Sequence, residues 1–190
     1  MPTAFHAHNT NPLSQYPQAW DRAGAVKLLV LDVDGVLTNG QVFIGESGKE
    51  SLKAFDIQDG LGIKLLEKIG IPTAIITGRS SKMVLARCEE LSIKHVHMGV
   101  EDKADALESI LQSLGLKSSD CAVMGDDWPD LQMMKSAGLK ICPAQGHDAV
   151  KEVAHFVTTR SGGSGAVREV CDLILKAQNR YEELLTQARA

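Results

Sequence analysis

The chain lacks any Cys-x-x-Cys pair; its four cysteines, Cys88, Cys121, Cys142 and Cys171, are scattered along it. Such spacing suggests neither a zinc site nor a disulfide framework, and buried reduced thiols are expected. No apolar run approaches the roughly 20 residues that a membrane-spanning helix needs. The first residues lack the basic-then-apolar layout of a secretory signal, so cytoplasmic residence is the default expectation and no membrane partner is implied. A basic tract is missing too, and with a formal net charge of −4 this argues against a nucleic-acid partner. Internal repeats and a second domain are likewise not found.

What remains is an ordinary globular composition: 190 residues, 44% hydrophobic and 23% charged, enough for one α/β domain around a single core. Residues 1–24 are polar, with His6 and His8 among several Asn and Gln. They are expected to form a poorly ordered extension, leaving 25–190 as the folded unit, and a histidine pair there has little to orient it.

The strongest local signal is Val26 to Thr38, where an apolar run ends in Asp32-Val33-Asp34-Gly35. A short Val/Leu-rich run bounded by a turn signal fits a strand buried on both faces of a parallel sheet. Asp32 then stands at the carboxyl edge, where open α/β sheets bind their ligands, and Gly35 lets the backbone turn away. Two carboxylates so close repel one another unless a cation neutralises them, and oxygen ligands in small number suit Mg²⁺. Taken alone, Asp-x-Asp-Gly is also what a surface turn shows.

The following elements keep a βαβ rhythm. Residues 41–55 read as a hairpin around Gly45 and Gly48, inserted after the first strand. A helix is expected over 60–69, then a buried strand at 73–77, a helix at 81–91, a strand at 95–98, a helix at 103–114 and a strand at 121–124. Short strands near 139–142 and 155–157 flank a helix at 147–153, and one long helix runs from about 165 to 188. Alternation of this kind predicts a doubly wound, Rossmann-like α/β fold with a parallel sheet.

Strand ends repeat one chemical theme. Ile75-Ile76-Thr77-Gly78-Arg79 offers a hydroxyl and amides for a phosphate oxygen, and Met124-Gly125-Asp126-Asp127 adds acids. Lys103, opening a helix between them, supplies positive charge. Thr77 and Asp126-Asp127 also suit helix caps, and Lys103 suits a solvated helix surface. Their joint order favours a site at one rim.

In that order the residues resemble the haloacid dehalogenase superfamily, whose phosphatases carry Asp-x-Asp-Gly, a Thr or Ser after the second strand, a Lys and a paired acidic motif. The resemblance implies that Asp32 is the nucleophile and Asp34 the acid that protonates the leaving alcohol and later activates water. It also implies Mg²⁺ held by Asp32, Asp34 and Asp126, with Asp127 and Asp130 behind them, while Thr77 and Lys103 bind phosphoryl oxygens. Only the hairpin and one helix separate Asp34 from Thr77, leaving no room for a cap domain.

Over residues 26 to 178 the resemblance narrows to the capless octulosonate 8-phosphate phosphatases. Its carriers are the 31–38 and 75–79 motifs, Lys53 to Gly60, and Gly162-Gly163-Ser164-Gly165 with the Ala166 to Val170 that follow. Matching positions imply substrate contacts at Asp34, Asp56, Ile57, Gln58, Asp59, Gly60, Lys64, Arg79, Arg87 and Lys103, with Arg suited to a sugar acid's carboxylate. Lys64 and Ser164 stand where relatives often carry Arg. The glycine-rich segment is implied to fold over a neighbouring subunit's active site, so a homo-oligomer, as a tetramer, is expected. Alternatives are a nine-carbon sugar acid 9-phosphate as substrate, a non-catalytic oligomerisation module and a phosphoacceptor signalling domain; intact Asp32 and Asp34 oppose the last two.

Overall fold

The computed structural model describes residues 16–190. The expectations for His6 and His8, and for the rest of 1–15, lie outside the described residues.

Six strands form one parallel sheet: β1 (Leu28–Leu31), β4 (Thr73–Thr77), β5 (His95–Met98), β6 (Cys121–Met124), β7 (Leu139–Cys142) and β8 (Phe156–Val157). Their order is β5-β4-β1-β6-β7-β8, so the chain winds outward on one side of β1 and then crosses to the other. β1 is therefore central, pairing Leu31 with Ile75 on one flank and with Met124 on the other. Reversal of winding beside β1 opens a crevice at its carboxyl end, the usual ligand position in such sheets.

Side chains of β1 alternate between two cores. Leu29 and Leu31 pack into the layer that holds Ile63, Val167, Val170 and Ile174, while Leu28 and Val30 join Leu107, Ile110, Met133 and Met134. The first layer is built by α1 (Pro17–Gly24), α2 (Ile57–Lys68), α3 (Lys82–Glu90) and α7 (Ala166–Ala177); the second by α4 (Lys103–Leu114), α5 (Leu131–Met134) and α6 (Asp148–Val153). All four cysteines are buried and unpaired. Between β1 and α2 stands only the hairpin of β2 (Phe43–Ile44) and β3 (Glu50–Leu52), an antiparallel pair detached from the main sheet. No cap domain interrupts the described residues.

Three boundaries differ from the sequence expectation. Helix α1 lies within the stretch expected to be disordered. Pro17 opens it, Ala19 and Ala23 are fully buried, Tyr16 sets its ring edge-on to Phe156 at 5.5 Å, and Arg22 donates to Gly138 O at 2.8 Å. Small alanines give a weak hydrophobic signal even where they pack closely. Helix α2 begins three residues early because the Asp56 side chain accepts from Gln58 N and Asp59 N as a cap. The single C-terminal helix is two, α7 and α8 (Tyr181–Arg189), separated where Asn179 adopts φ 57°. Asparagine tolerates that left-handed geometry and ends the helix.

Candidate active site

The carboxyl ends of β1, β4 and β6 and the first turn of α4 converge on a cleft of about 310 Å³. Asp32, Asp34, Thr77, Arg79, Lys103 and Asp126 line it, with buried Asp130 and exposed Asp127 beside them. Among them Asp32, Asp34, Thr77, Lys103 and Asp126 are the residues that the strand-end pattern expected at one rim.

Local chemistry explains how the loop after β1 holds its shape. Asp32 N donates to Met124 O at 3.1 Å, extending the β1–β6 ladder by one residue. The Thr38 hydroxyl donates to Val33 O at 3.3 Å and accepts from Gly35 N and Gly40 N, tying the turn together. Gly35 has φ 97°, and a methyl group on it would overlap the Asp126 carboxylate. Only glycine satisfies both demands there.

Lys103 is the electrostatic hub. Its Nζ donates to Asp32 Oδ1 and to Asp130 Oδ1, both at 2.7 Å, and all three side chains are buried. Asp130 spends its other oxygen on Asp126 N at 2.9 Å and Asp127 N at 3.3 Å. It thus orients the Asp126 loop, while Asp127 caps the 3₁₀ turn Trp128–Asp130. Burial works against charge on Lys103, yet the Asp32 and Asp130 carboxylates overcome it and raise its pKa. Asp32 is pushed up to about 6, first by burial and then by Asp130, against the pull of Lys103. Asp126 is pushed up to about 7 by burial and by the carboxylates of Asp32, Asp130 and Asp127.

That excess of negative charge is itself a test of metal fit. Asp32, Asp126 and Asp130 each offer an oxygen, all within 4.8 Å of one another. One lysine does not neutralise them, and an oxygen-only set with two carboxylates free to coordinate fits a hard divalent cation such as Mg²⁺. Asp130 has both oxygens engaged, one by Lys103 and the other by the Asp126 and Asp127 amides.

The predicted substrate contacts divide into two groups. Arg79 reaches the cleft, its Nε 3.6 Å from Asp34 Oδ2 and its Nη2 3.4 Å from Glu50 Oε2. Asp56, Ile57, Gln58, Gly60, Lys64 and Arg87 do not line it. All but Lys64, which lies farther along α2, gather around the start of that helix, where Arg87 Nη2 donates to Asp56 O at 3.0 Å and the guanidinium lies 5.8 Å from the centre of the Phe55 ring. Ile57 is 84% exposed there, and Gln58 accepts from Arg160 Nη1 at 2.8 Å.

Asp59 points the other way. It is 1% exposed, and its Oδ1 accepts from Arg168 N at 2.7 Å, capping the amino end of α7. Burial pushes its carboxyl up to about 6 from an ordinary 3.8. The folded chain therefore binds a proton that the unfolded chain has released across that window, and its stability falls as pH rises through it. Asp59→Asn is expected to flatten that fall by roughly 2 kcal/mol between pH 4 and pH 7. Urea unfolding at a series of pH values checks this; an unchanged slope would contradict the protonated carboxyl.

The glycine-rich segment packs against the loop that follows β1. Gly162 N donates to Gln145 Oε1 at 2.8 Å, Gln145 Nε2 donates to Gly35 O at 2.6 Å, and Gly163 N donates to Val36 O at 3.0 Å. A methyl group on Gly162 would overlap the Gly35 carbonyl. The segment is thus a wedge against this chain's own loop after β1, and glycine serves close approach there. Sequence reasoning missed three residues at the site: Gln145, Glu50 and Lys53. Only Lys53 had any signal, through its place in the 53–60 motif.

Known proteins of similar sequence and fold identify the family. A model of haloacid dehalogenase-like hydrolases matches residues 96–170. The 3-deoxy-D-manno-octulosonate 8-phosphate phosphatase of Salmonella typhimurium is 41% identical over 172 residues, covering 90% of this chain and 91% of that protein. A crystal structure of the enzyme of that name from Moraxella catarrhalis, in complex with magnesium, phosphate and KDO, superposes with a TM-score of 0.87 at 45% identity, covering 90% of this chain and 97% of that one. The Yersinia pestis structure of the same name gives 0.85 at 42% identity, with 87% and 89% covered. Identity above 40% over about nine-tenths of the chain, with the fold and the length shared, settles the family: the chain belongs to the 3-deoxy-D-manno-octulosonate 8-phosphate phosphatase family of haloacid dehalogenase-like hydrolases.

Proposed function

We propose that the chain is a Mg²⁺-dependent phosphatase that converts 3-deoxy-D-manno-octulosonate 8-phosphate to the free sugar acid and phosphate, a step of lipopolysaccharide assembly in the cytoplasm. The observation that carries the reading is the convergence of Asp32, Asp34, Thr77, Lys103 and Asp126 on one cleft. In the first half-reaction an Asp32 oxygen attacks phosphorus, the bond from phosphorus to the sugar oxygen breaks, and the departing oxygen takes a proton from the Asp34 carboxyl. In the second, water attacks phosphorus, gives its proton to Asp34, and the Asp32 carboxylate leaves as phosphate is released. Mg²⁺, held by Asp32, Asp126 and the Asp34 main-chain carbonyl, supplies the positive charge that lets an anionic nucleophile meet an anionic ester. Thr77 and Lys103 steady the phosphoryl oxygens, and Arg79 faces the sugar acid's carboxylate.

The second group of residues, Asp56, Ile57, Gln58 and Gly60 with Lys64 and Arg87, reads best as recognition chemistry offered to a neighbouring copy in a homotetramer. Exposed Phe43, Ile44 and Leu52 on the hairpin support association, since free β-edges and apolar faces favour pairing. A panel of phosphate esters scored by phosphate release tests the substrate. Preference for the octulosonate ester is expected; equal or better kcat/KM on the nine-carbon sugar acid 9-phosphate would refute it. Light scattering that finds only a monomer would refute the shared site.

A further inference from the structure

Lys53 is an unusual residue for an exposed hairpin. Phe43, Ile44, Ser51 and Leu52 around it are open to solvent, yet its own side chain is only 1% exposed and its ammonium is ion-paired with Asp34 Oδ1. Glu50 Oε1 lies 3.0 Å from the same ammonium. A buried lysine is costly unless its charge is matched, and here its partner is a residue of the catalytic loop. Arg79 completes the group from the far side, approaching Asp34 Oδ2 and Glu50 Oε2 while remaining 48% exposed. The two cations are therefore unequal: the guanidinium is free to turn toward an incoming anion, and the buried ammonium is not.

We propose that Lys53 is a positioning residue for the proton donor, fixing the Asp34 carboxyl so that its proton meets the departing sugar oxygen, with Glu50 holding Lys53 in place. This rests on the assignment of Asp34 given above. It makes the hairpin part of the catalytic apparatus in each subunit, in addition to any role in association. The geometry explains why a hairpin lysine that does not itself line the cleft is buried at such cost.

Leaving-group dependence separates this role from a merely structural one. An alkyl alcohol needs a well-placed proton donor, whereas p-nitrophenolate leaves without one. Because kcat/KM reports only steps up to departure of the alcohol, hydrolysis of the aspartyl phosphate does not enter the comparison. With saturating Mg²⁺, Lys53→Met is expected to lower kcat/KM for ribose 5-phosphate about 100-fold, and for p-nitrophenyl phosphate less than about 3-fold, following the usual worth of a general acid. Lys53→Arg, which keeps a buried cation, is expected to recover most of the lost alkyl turnover. Equal losses on both esters by a folded Lys53→Met chain, or no loss on either, would overturn the proposal. If Lys53→Met does not fold, Glu50→Gln decides: a loss confined to the alkyl ester supports the proposal and parallel losses reject it. Asp34→Asn serves as reference. Should it show no alkyl-selective loss, the assignment of Asp34 itself fails; should it show one that Lys53→Met and Glu50→Gln lack, only the role of Lys53 fails.

Discussion

Asp32→Asn is expected to lower kcat by a factor on the order of 10⁴ to 10⁶, the scale on which loss of a nucleophile is felt when binding and electrostatic stabilisation survive. An amide does not attack phosphorus. Lys103 would bond the oxygen of the new amide and keep Asp130, and Thr77 and Asp126 would stay where they are. Folding is not expected to suffer. Burial and the neighbouring Asp130 already push the Asp32 carboxyl up to about 6, so its ionised form is held in the native chain at a cost. A neutral isostere removes that cost, and the thermal midpoint at pH 8 in the absence of Mg²⁺ should be equal to or above that of the parent. Phosphate-release kinetics beside calorimetry read both effects; a loss of activity with a large loss of stability would point to a structural carboxylate.

Gly162→Ala is expected to damage the chain less than loss of the nucleophile does, and by another route. The added methyl meets backbone rather than a movable side-chain end: the Gly35 carbonyl and, at 3.0 Å, Thr38 O. Either the wedge withdraws, breaking the Gln145 bridge and the Gly163–Val36 hydrogen bond, or the catalytic loop is displaced with Asp34 on it. Overpacking of this kind costs about 1–3 kcal/mol, and misplacement of reacting groups by about 1 Å costs on the order of 10²-fold in rate. A drop of about 100-fold in kcat, with a lowered melting temperature, is expected. A segment that acted as a free flap over a neighbouring molecule would tolerate alanine, leaving stability unchanged and altering chiefly KM.

Much of this was legible in the sequence because particular physical constraints write themselves locally. Leu28 to Leu31 are buried on both faces, so the strand shows as an unbroken apolar run. Thr77, Lys103 and Asp126 stand at ends of elements whose alternation is easy to read, and the sheet brings such ends to one edge. The unread features depend on contacts between segments far apart in the chain. Nothing near Gly162 announces that Gly35 will lie against it, and nothing near Asp59 announces the amides of α7. Lys53 looks like any hairpin lysine until Asp34 is seen beside it. Resemblance located Asp56 to Gly60, Lys64 and Arg87 as a set but not where they stand, and in this chain they gather away from the carboxylates.

The central claim is that phosphate passes through a covalent bond to Asp32. Intact-mass spectrometry of the Asp34→Asn chain, acid-quenched during turnover of p-nitrophenyl phosphate with Mg²⁺, tests it most directly, because the second half-reaction is slowed while the first needs no proton donor. One added phosphoryl group, mapped by peptide sequencing to Asp32 and lost in the chain that carries both Asp32→Asn and Asp34→Asn, is the predicted result. Release of p-nitrophenol with no phosphoryl adduct, or with the adduct on another residue, would contradict it.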